Sequence, residues 1–350
     1  MLKVGIIGAG YAAQVHMQVY SLLKDRVQAA AVCDKNYEQA ASFAAKFRIK
    51  SVYENHLDML EKDMPDFVDI CAPTSAHAQI AIDTAEKGSN VLVEKPMALN
   101  EEECRAMATE SEKNGVSLCV CHDKIFAAPF LEAKRTMANQ NDRVNLCSIT
   151  SRVPEENLQH WARAAEEGGV LWEAGTHAVY AQRFFLGGID QVSAIAKRAL
   201  FPVDDTFLVL LHGKSGALGL IELSCWKTKA DWFLCNIDTT RGVRFQIDPR
   251  FDYFAMTRPQ QFGMTGVNWF AHVFGDVRRF SQLRIGYAIK HVSSGRTRFI
   301  RRRHLTLISR FIDSLNNHSP PPVTAEDGIE TIRTLEAIQE SVLKGRSVGL

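Results

Sequence analysis

Short apolar runs alternate with amphipathic stretches over residues 1–122 of the chain. The runs are rich in β-branched residues and too short for helices, so each predicts a strand. They are Val4–Ile7, Val27–Cys33, Phe67–Cys71, Val91–Val93 and Ser117–Cys121. The stretches between them predict helices at His16–Leu23, Tyr37–Phe47, Ala76–Lys87 and Glu101–Asn114, the last with Asn100 as its N-cap. Nearly unbroken apolar strands that alternate with helices indicate an α/β fold with a doubly wound parallel sheet.

The pattern changes after residue 122. Strand candidates now follow one another, at Asn145–Val153, Gln191–Leu200, Thr206–Gly213, Leu218–Trp226, Trp232–Thr240 and Val243–Pro249. Turn sequences at 213–216 and 240–242 predict hairpins, and Ala325–Lys344 predicts a closing helix. We therefore predict a Rossmann domain at 1–122 and an α+β domain at 123–350 with an open, mostly antiparallel sheet.

Composition is that of a globular protein in a reducing compartment. The chain has 350 residues, 46% of them hydrophobic, with no apolar run long enough to span a bilayer. The N-terminus lacks the pattern of a signal peptide, which favours the cytoplasm. Several of the eight cysteines lie in strand-like runs and are expected to be reduced core residues. The one-residue gap in Cys119-Val120-Cys121-His122 is wrong for a zinc knuckle, and we predict no metal.

A glycine-rich turn, Gly8-Ala9-Gly10-Tyr11-Ala12-Ala13, follows the first predicted strand. Gly8 permits a tight turn, Gly10 lets the backbone approach a pyrophosphate, and the small Ala13 allows a helix to pack closely on the strand. Asp34 ends the second strand, where a carboxylate accepts hydrogen bonds from ribose hydroxyls and repels a 2′-phosphate. The turn therefore predicts a dinucleotide site that favours NAD over NADP, a preference that Lys35 softens.

Two more loops follow strands at the same edge of the sheet. In Ala72-Pro73-Thr74-Ser75-Ala76-His77, the histidine could reach the nicotinamide ribose or simply cap a helix. In Glu94-Lys95-Pro96, the proline is a candidate for a cis peptide bond that would turn Lys95 into the cleft. An ammonium there can hydrogen-bond a reacting hydroxyl and stabilise a developing alkoxide.

The segment 168–177 contains an acid and a histidine four positions apart. Two glycines lead into a predicted helix, whose i,i+4 spacing puts Glu173 and His177 on one face. Histidine titrates near neutrality and can take the proton of a hydroxyl as hydride leaves, while Glu173 could orient the ring or share in the proton transfer. A purely structural Glu–His pair is the alternative.

These motifs, in this order, resemble the glucose-fructose oxidoreductase / inositol dehydrogenase / MocA family almost end to end. The likeness also covers 120–126 and the closing stretch 322–328. It implies NAD(P)-linked oxidation of sugars or cyclitols by a homo-oligomer (a dimer or tetramer), with Lys95, Glu173 and His177 as the catalytic group. Two departures matter: the acid is usually aspartate, and Asp123-Lys124 stands where many members have Asn-Arg.

The candidate site follows from the motifs and the resemblance together. Cofactor contacts are expected from Gly8, Gly10, Tyr11, Ala12, Ala13, Asp34, Lys35, Pro73, Thr74, His77, Glu94 and Lys95. Substrate contacts are expected from Lys95, His122, Asp123, Lys124, Trp161, Trp172, Glu173 and His177. Two alternatives to a simple dehydrogenase stay open: an enzyme whose tightly held NAD is reduced and reoxidised within one cycle, and a regulator that binds dinucleotide without catalysis.

A basic block is the last feature of note. Nine basic residues and no acidic one lie between Arg278 and Arg303, which leaves the rest of the chain at −8 from a net +1. Apolar residues among them suggest an amphipathic helix. We expect a subunit contact or a solvated surface first, then a membrane surface or lipid-linked substrate, then a phosphorylated or nucleotide sugar. The enzyme motifs argue against nucleic acid.

Overall fold

A parallel sheet forms the N-terminal half of the molecule. The computed structural model describes residues 1–155, 169–226, 232–249, 253–257 and 295–350. The strands are β1 (Leu2–Ile7), β2 (Val27–Cys33), β3 (Ser51–Tyr53), β4 (Phe67–Ile70), β5 (Asn90–Val93) and β6 (Leu118–Val120). The helices between them are α1 (Tyr11–Tyr20), α2 (Tyr37–Phe47), α3 (His56–Asp63), α4 (Thr74–Glu86) and α5 (Glu101–Lys113). The strand order β3-β2-β1-β4-β5-β6 is that of a doubly wound nucleotide-binding sheet.

The apolar content of the central strands explains why the sheet is covered on both faces. Val4, Ile6 and Phe67 are completely buried, as expected for strands packed between two helical layers. Helix starts are capped where the sequence supplies a side-chain acceptor: the Asn100 side chain accepts from the Glu103 amide, which confirms the predicted N-cap. The eight cysteines are all free.

The structure corrects two details of the sequence-based prediction here. The pair β3–α3 was missed, because a strand of three half-buried residues leaves almost no periodic signal. Helix α1 begins at Tyr11 rather than His16, directly after the glycine turn. The first helical turn of α1 is therefore continuous with the glycine-rich loop.

A mixed sheet forms the second layer. A 3₁₀ turn at Asp123–Phe126 and α6 (Ala128–Asn139) lead into β7 (Val144–Pro154), and a π-helical turn at Leu171–Gly175 leads into α7 (Thr176–Leu186). The remaining strands are β8 (Ile189–Lys197), β9 (Thr206–Gly213), β10 (Leu218–Trp226), β11 (Trp232–Thr239), β12 (Arg244–Asp248), β13 (Tyr253–Thr257) and β14 (Val348–Gly349). Their order is β13-β12-β11-β7-β10-β9-β8-β14. Among the described pairs of this second sheet only β7–β10 is parallel, which confirms the predicted α+β, mostly antiparallel layer.

Two long helices close the chain. They are α8 (Gly295–Asn317) and α9 (Ala325–Lys344), the second with a capping box between Thr324 and Asp327. The buried side of α8 contains Leu307, Ile308 and Phe311, and the Phe311 ring meets Phe67 edge to face at 5.6 Å. Helix α8 therefore returns to the parallel sheet, and the domain boundary at 122–123 stays a prediction.

The predicted basic block falls mainly outside the described residues. Positions 278–294 are not described, and the side chains of 295–301 are not either. The end of the block, Arg302 and Arg303, lies in α8. Within the described part of the chain, no helix combines the length and the apolar character that a membrane span requires.

Two glycines of the first turn make a matched test of this local structure. Gly8 has φ +93°, and a Cβ there would lie 2.5 Å from the Cys71 carbonyl oxygen, whereas a Cβ on Gly10 would meet nothing within 4 Å. We expect Gly8→Ala to lower the free energy of unfolding by at least about 1–3 kcal/mol, since strain and a backbone clash add. Gly10→Ala should cost clearly less. Urea unfolding of both variants measures the difference, and equal losses would contradict this account of the turn.

Candidate active site

One cavity of about 1130 Å³ lies along the carboxyl edge of the parallel sheet. Parallel strands in doubly wound sheets open their ligand crevice at this edge. The cavity lining includes Gly8 and Gly10 from the first turn, Asp34 from the end of β2, and Lys95 and His177. The structure therefore brings the glycine turn, the β2 acid and the predicted catalytic group together around one space.

The turn and the β2 acid hold one another in place. The Asp34 carboxylate accepts from the Ala9 amide at 2.8 Å and from the Asn36 amide at 2.9 Å, with Gln39 Nε2 at 3.2 Å. Tyr11, Ala12, Lys35, Pro73 and Thr74 also line the cavity, whereas Ala13 is completely buried and is not part of the lining. Ala13 thus supports helix packing and does not contact the cavity.

This part of the cavity fits a dinucleotide. Nothing lies within 4 Å of a Cβ placed on Gly10, and Gly10, Tyr11 and Ala12 at the start of α1 line the cavity. The start of a helix is a favourable site for a pyrophosphate. Asp34 lines the part of the cavity where a ribose would follow the pyrophosphate. The volume of the cavity exceeds that of a common small-molecule pocket, roughly 300–1,000 Å³. The residues present are therefore those that NAD requires.

The Lys95 ammonium contacts two oxygen atoms of one residue, Glu173, which lies 78 positions further along the chain. Its Nζ donates to the Glu173 carboxylate Oε2 at 2.9 Å and to the Glu173 backbone oxygen at 3.1 Å. Burial alone would lower the pKa of Lys95, but the charges of Glu173 and Glu94 outweigh it and raise that pKa. Lys95 is therefore protonated at neutral pH. The peptide bond to Pro96 is cis, as the sequence suggested.

The relation between Glu173 and His177 differs from the prediction. Glu173 lies in the π-helical turn and His177 is the second residue of α7, so the two do not share a face of one regular α-helix. Both still line the cavity, but Glu173 binds Lys95 rather than orienting the imidazole.

His177 is held in its neutral form. Burial lowers its pKa well below 6.5, and the positive charges of Lys124 and Lys95 lower it further. The same ring borders the cavity. A half-buried neutral imidazole beside a fixed ammonium can accept a proton, which is what a general base must do.

Behind Lys95 runs a row of buried charges that sequence reasoning missed. His16 Nδ1 lies 2.8 Å from Asp69 Oδ2, and His16 Nε2 lies 3.0 Å from Glu94 Oε1. Tyr20 donates to the same Asp69 carboxylate at 2.7 Å. Burial alone would lower the pKa of His16, yet Asp69 raises it well above 6.5, so the ring is a cation between two carboxylates. The only signal for it was a polar residue on the buried side of a predicted helix.

Helix α8 supplies two further cavity residues that were not predicted. Arg303 Nε lies 3.2 Å from Asp123 Oδ2, and His304 Nδ1 lies 3.5 Å from the same oxygen. Burial would raise the pKa of Asp123, but Arg303 and His304 hold it below its usual range. The spacing of His304, Leu307 and Phe311 is a helical one that could have placed His304 on the inner side.

Three predicted contacts lie elsewhere, and one falls outside the described residues. The ring nitrogens of His77 lie 2.9 Å from the Pro96 and Ala72 oxygens, so this buried histidine braces the cis-proline loop instead of meeting a ribose. His122 is stacked on Tyr180 at 4.1 Å, and burial lowers its pKa to about 3. Trp172 is buried and donates to the Leu99 oxygen. Trp161 is not described, whereas Lys124 lines the cavity as predicted.

Comparison with known proteins gives a consistent result along the chain. A model described as an oxidoreductase family with an NAD-binding Rossmann fold matches residues 2–122, and a GFO/IDH/MocA C-terminal domain model matches residues 142–244. Myo-inositol 2-dehydrogenase of Thermotoga maritima is 24% identical, over 100% of this chain and 98% of its own length. D-apiose dehydrogenase of Paraburkholderia graminis is 24% identical, over 99% of this chain and 89% of its own.

The solved structures show the same fold. Levoglucosan dehydrogenase in complex with NADH superposes with a TM-score of 0.81 at 17% identity, and the match covers 99% of this chain and 98% of that one.

Proposed function

The chain belongs to the GFO/IDH/MocA family of NAD-binding oxidoreductases, and on that premise we propose that it oxidises a hydroxyl of a sugar, a sugar derivative or a cyclitol. The observation that carries the proposal is the meeting of Lys95, Glu173 and His177 in the cavity that also holds Gly10 and Asp34. The named relatives act on inositol, apiose and levoglucosan, which are all polyhydroxylated rings.

Lys95 is proposed to bind and polarise the reacting hydroxyl. Its ammonium borders the cavity and remains protonated because Glu173 and Glu94 raise its pKa. A fixed cation that is largely buried stabilises the negative charge that develops on oxygen as the hydroxyl loses its proton. Bound NAD supplies the acceptor for the hydride.

His177 is proposed to take the hydroxyl proton on an imidazole nitrogen. Its depressed pKa means that the ring is already neutral at physiological pH and need not lose a proton first. Glu173 acts through Lys95, since its carboxylate is bound to the ammonium and not to the imidazole. We therefore assign Glu173 as a positioning residue.

We also propose a preference for NAD over NADP. Asp34 has its carboxylate fixed by the Ala9 and Asn36 amides, so it cannot easily swing away from an approaching 2′-phosphate. A 2′-phosphate bound beside this carboxylate would be repelled by its like charge. Lys35 lines the same part of the cavity and offsets a portion of this repulsion.

We expect kcat/KM to be higher with NAD than with NADP, and Asp34→Ser to move the ratio toward NADP by removing the repelling charge. The measurement is kcat/KM for both cofactors with one polyol substrate. Gln39→Ala is a suitable control, since it removes a partner of Asp34 without removing the charge. A parent enzyme that prefers NADP would contradict the proposal.

We expect Lys95→Ala and His177→Ala each to lower kcat by about 10²–10⁴-fold while NAD binding survives, because both act on the hydroxyl. The parent enzyme should keep its kcat/KM down to pH 6.5 and lose it only below, where His177 becomes protonated, and this acid limb should be absent in His177→Ala. Release of NADH from a polyol, followed by absorbance, is the assay. Retained NAD with no free NADH would instead favour an internal oxidation–reduction cycle.

Glu173 variants separate chemistry from positioning in the same assay. Glu173→Gln keeps the backbone contact to Lys95 but removes the charge that raises the lysine pKa, so the alkaline limb of kcat should shift to lower pH. If instead the acid limb assigned to His177 moved and the alkaline limb did not, the link through Lys95 would be wrong.

We further propose that the outer face of the second sheet binds another copy of this chain. Leu210 and Ile195 are 58% and 68% exposed, and Leu208 pairs with Ile195 on the same face. The exposed Leu218 and the half-buried Leu220 on β10 continue the apolar surface. A contiguous apolar patch of this kind marks an interaction site, and on a sheet face it suits self-association.

Leu210→Glu should shift the protein toward monomer, because a buried carboxylate at the interface is costly. Light scattering after size exclusion reports the mass. Leu343→Glu, at an exposed leucine on α9, is the matched control. A parent protein that is monomeric at micromolar concentration would refute the proposal.

A further inference from the structure

Four metal-ligating side chains meet where α8 packs against the parallel sheet. They are His16 from α1, Glu94 after β5, Cys121 after β6 and His304 from α8, and their ligand atoms all lie within 4.8 Å of one another. His16 Nε2 lies 3.0 Å from Glu94 Oε1 and 3.7 Å from Cys121 Sγ. Tetrahedral zinc bonds of about 2.0–2.3 Å place neighbouring ligand atoms roughly 3.5 Å apart, so the cluster already has the scale of such a site.

A carboxylate behind the cluster orients the first ligand. Asp69 Oδ2 lies 2.8 Å from His16 Nδ1, and Tyr20 donates to the same oxygen. With Nδ1 bound in this way, Nε2 points at Glu94 and Cys121. Histidine ligands of metals are usually fixed by a carboxylate on the other ring nitrogen, and such partners affect metal affinity strongly.

The cluster combines a closed inner side with an access route. His16 and Cys121 are 0% and 1% exposed, whereas Glu94 and His304 line the cavity. An ion could therefore arrive from the cavity and be held on its inner side by the imidazole and the thiol. The sequence pattern suggested only Cys119 and His122 as further metal ligands beside Cys121. The fold instead places His16, Glu94 and His304 next to this thiol.

We propose that His16, Glu94, Cys121 and His304 bind a single Zn²⁺ ion. Two imidazoles, a thiolate and a carboxylate are the donors that zinc takes in proteins, and the thiolate disfavours magnesium and calcium. Binding displaces the proton on His16 Nε2 and the thiol proton of Cys121, and no electron is transferred. With four protein ligands the site is a structural one, and it ties α8, with Arg303, to the edge of the sheet next to Lys95.

Cobalt substitution tests the proposal with a readout independent of turnover. Chelator-treated protein titrated with Co²⁺ should take up one equivalent and develop thiolate-to-cobalt absorption together with the visible bands of a tetrahedral site. Zn²⁺ should displace the cobalt and abolish both. Absence of a saturable equivalent in the parent protein would overturn the proposal, whatever the enzyme's activity.

Variants locate the ion. Cys121→Ser should lose the thiolate band, whereas Cys119→Ser, another buried thiol two positions away, should keep it. His304→Ala removes a ligand at the cavity side and covers the case in which Cys121→Ser does not fold. Asp69→Asn should weaken cobalt affinity by about 10–100-fold while the thiolate band remains. An unchanged band and affinity in both Cys121→Ser and His304→Ala would place the metal elsewhere and refute the assignment.

Discussion

The arrangement of this molecule depends on a row of opposite charges buried at the carboxyl edge of the parallel sheet. Ion pairs join Asp69 to His16, His16 to Glu94, and Lys95 to Glu173. The opposite charges of the chain neighbours Glu94 and Lys95 also attract each other. Charges withdrawn from water are tolerated only when each has a partner, and removing one partner from such a pair typically costs about 3–5 kcal/mol. The row therefore fixes the relative positions of α1, β4, β5 and the π-helical turn, and the place of Lys95 in the cavity follows from that core.

Residues from α8, late in the sequence, complete the wall of the cavity. Helix α8 packs its apolar side against the sheet through Phe311 and Phe67, and the same packing delivers Arg303 and His304 to Asp123. Positive charge on this wall, together with Lys124 and Lys95, helps to keep His177 neutral. Helix α8 packs on the parallel sheet, and through Arg303 it helps to lower the pKa of His177 in α7.

A structural feature could be predicted from the sequence when residues close to it in the chain determine it. The turn at Gly8 and the acid at Asp34 are specified by chain neighbours and by the ends of two strands, so pattern alone located them. His77 and His122 also follow strands, but whether such a side chain turns to the cavity or to the core depends on tertiary partners. Arg303 lies 180 residues from Asp123, and no local pattern can report a pairing of that kind.

The way in which Glu173 holds Lys95 limits what the lysine can offer to a ligand. An ammonium has three N–H bonds, and among the described residues Glu173 alone accepts two of them, one on its carboxylate and one on its backbone oxygen. A single N–H remains, and its direction is set by the other two. The lysine thus presents one aimed donor to the cavity instead of a freely rotating charge.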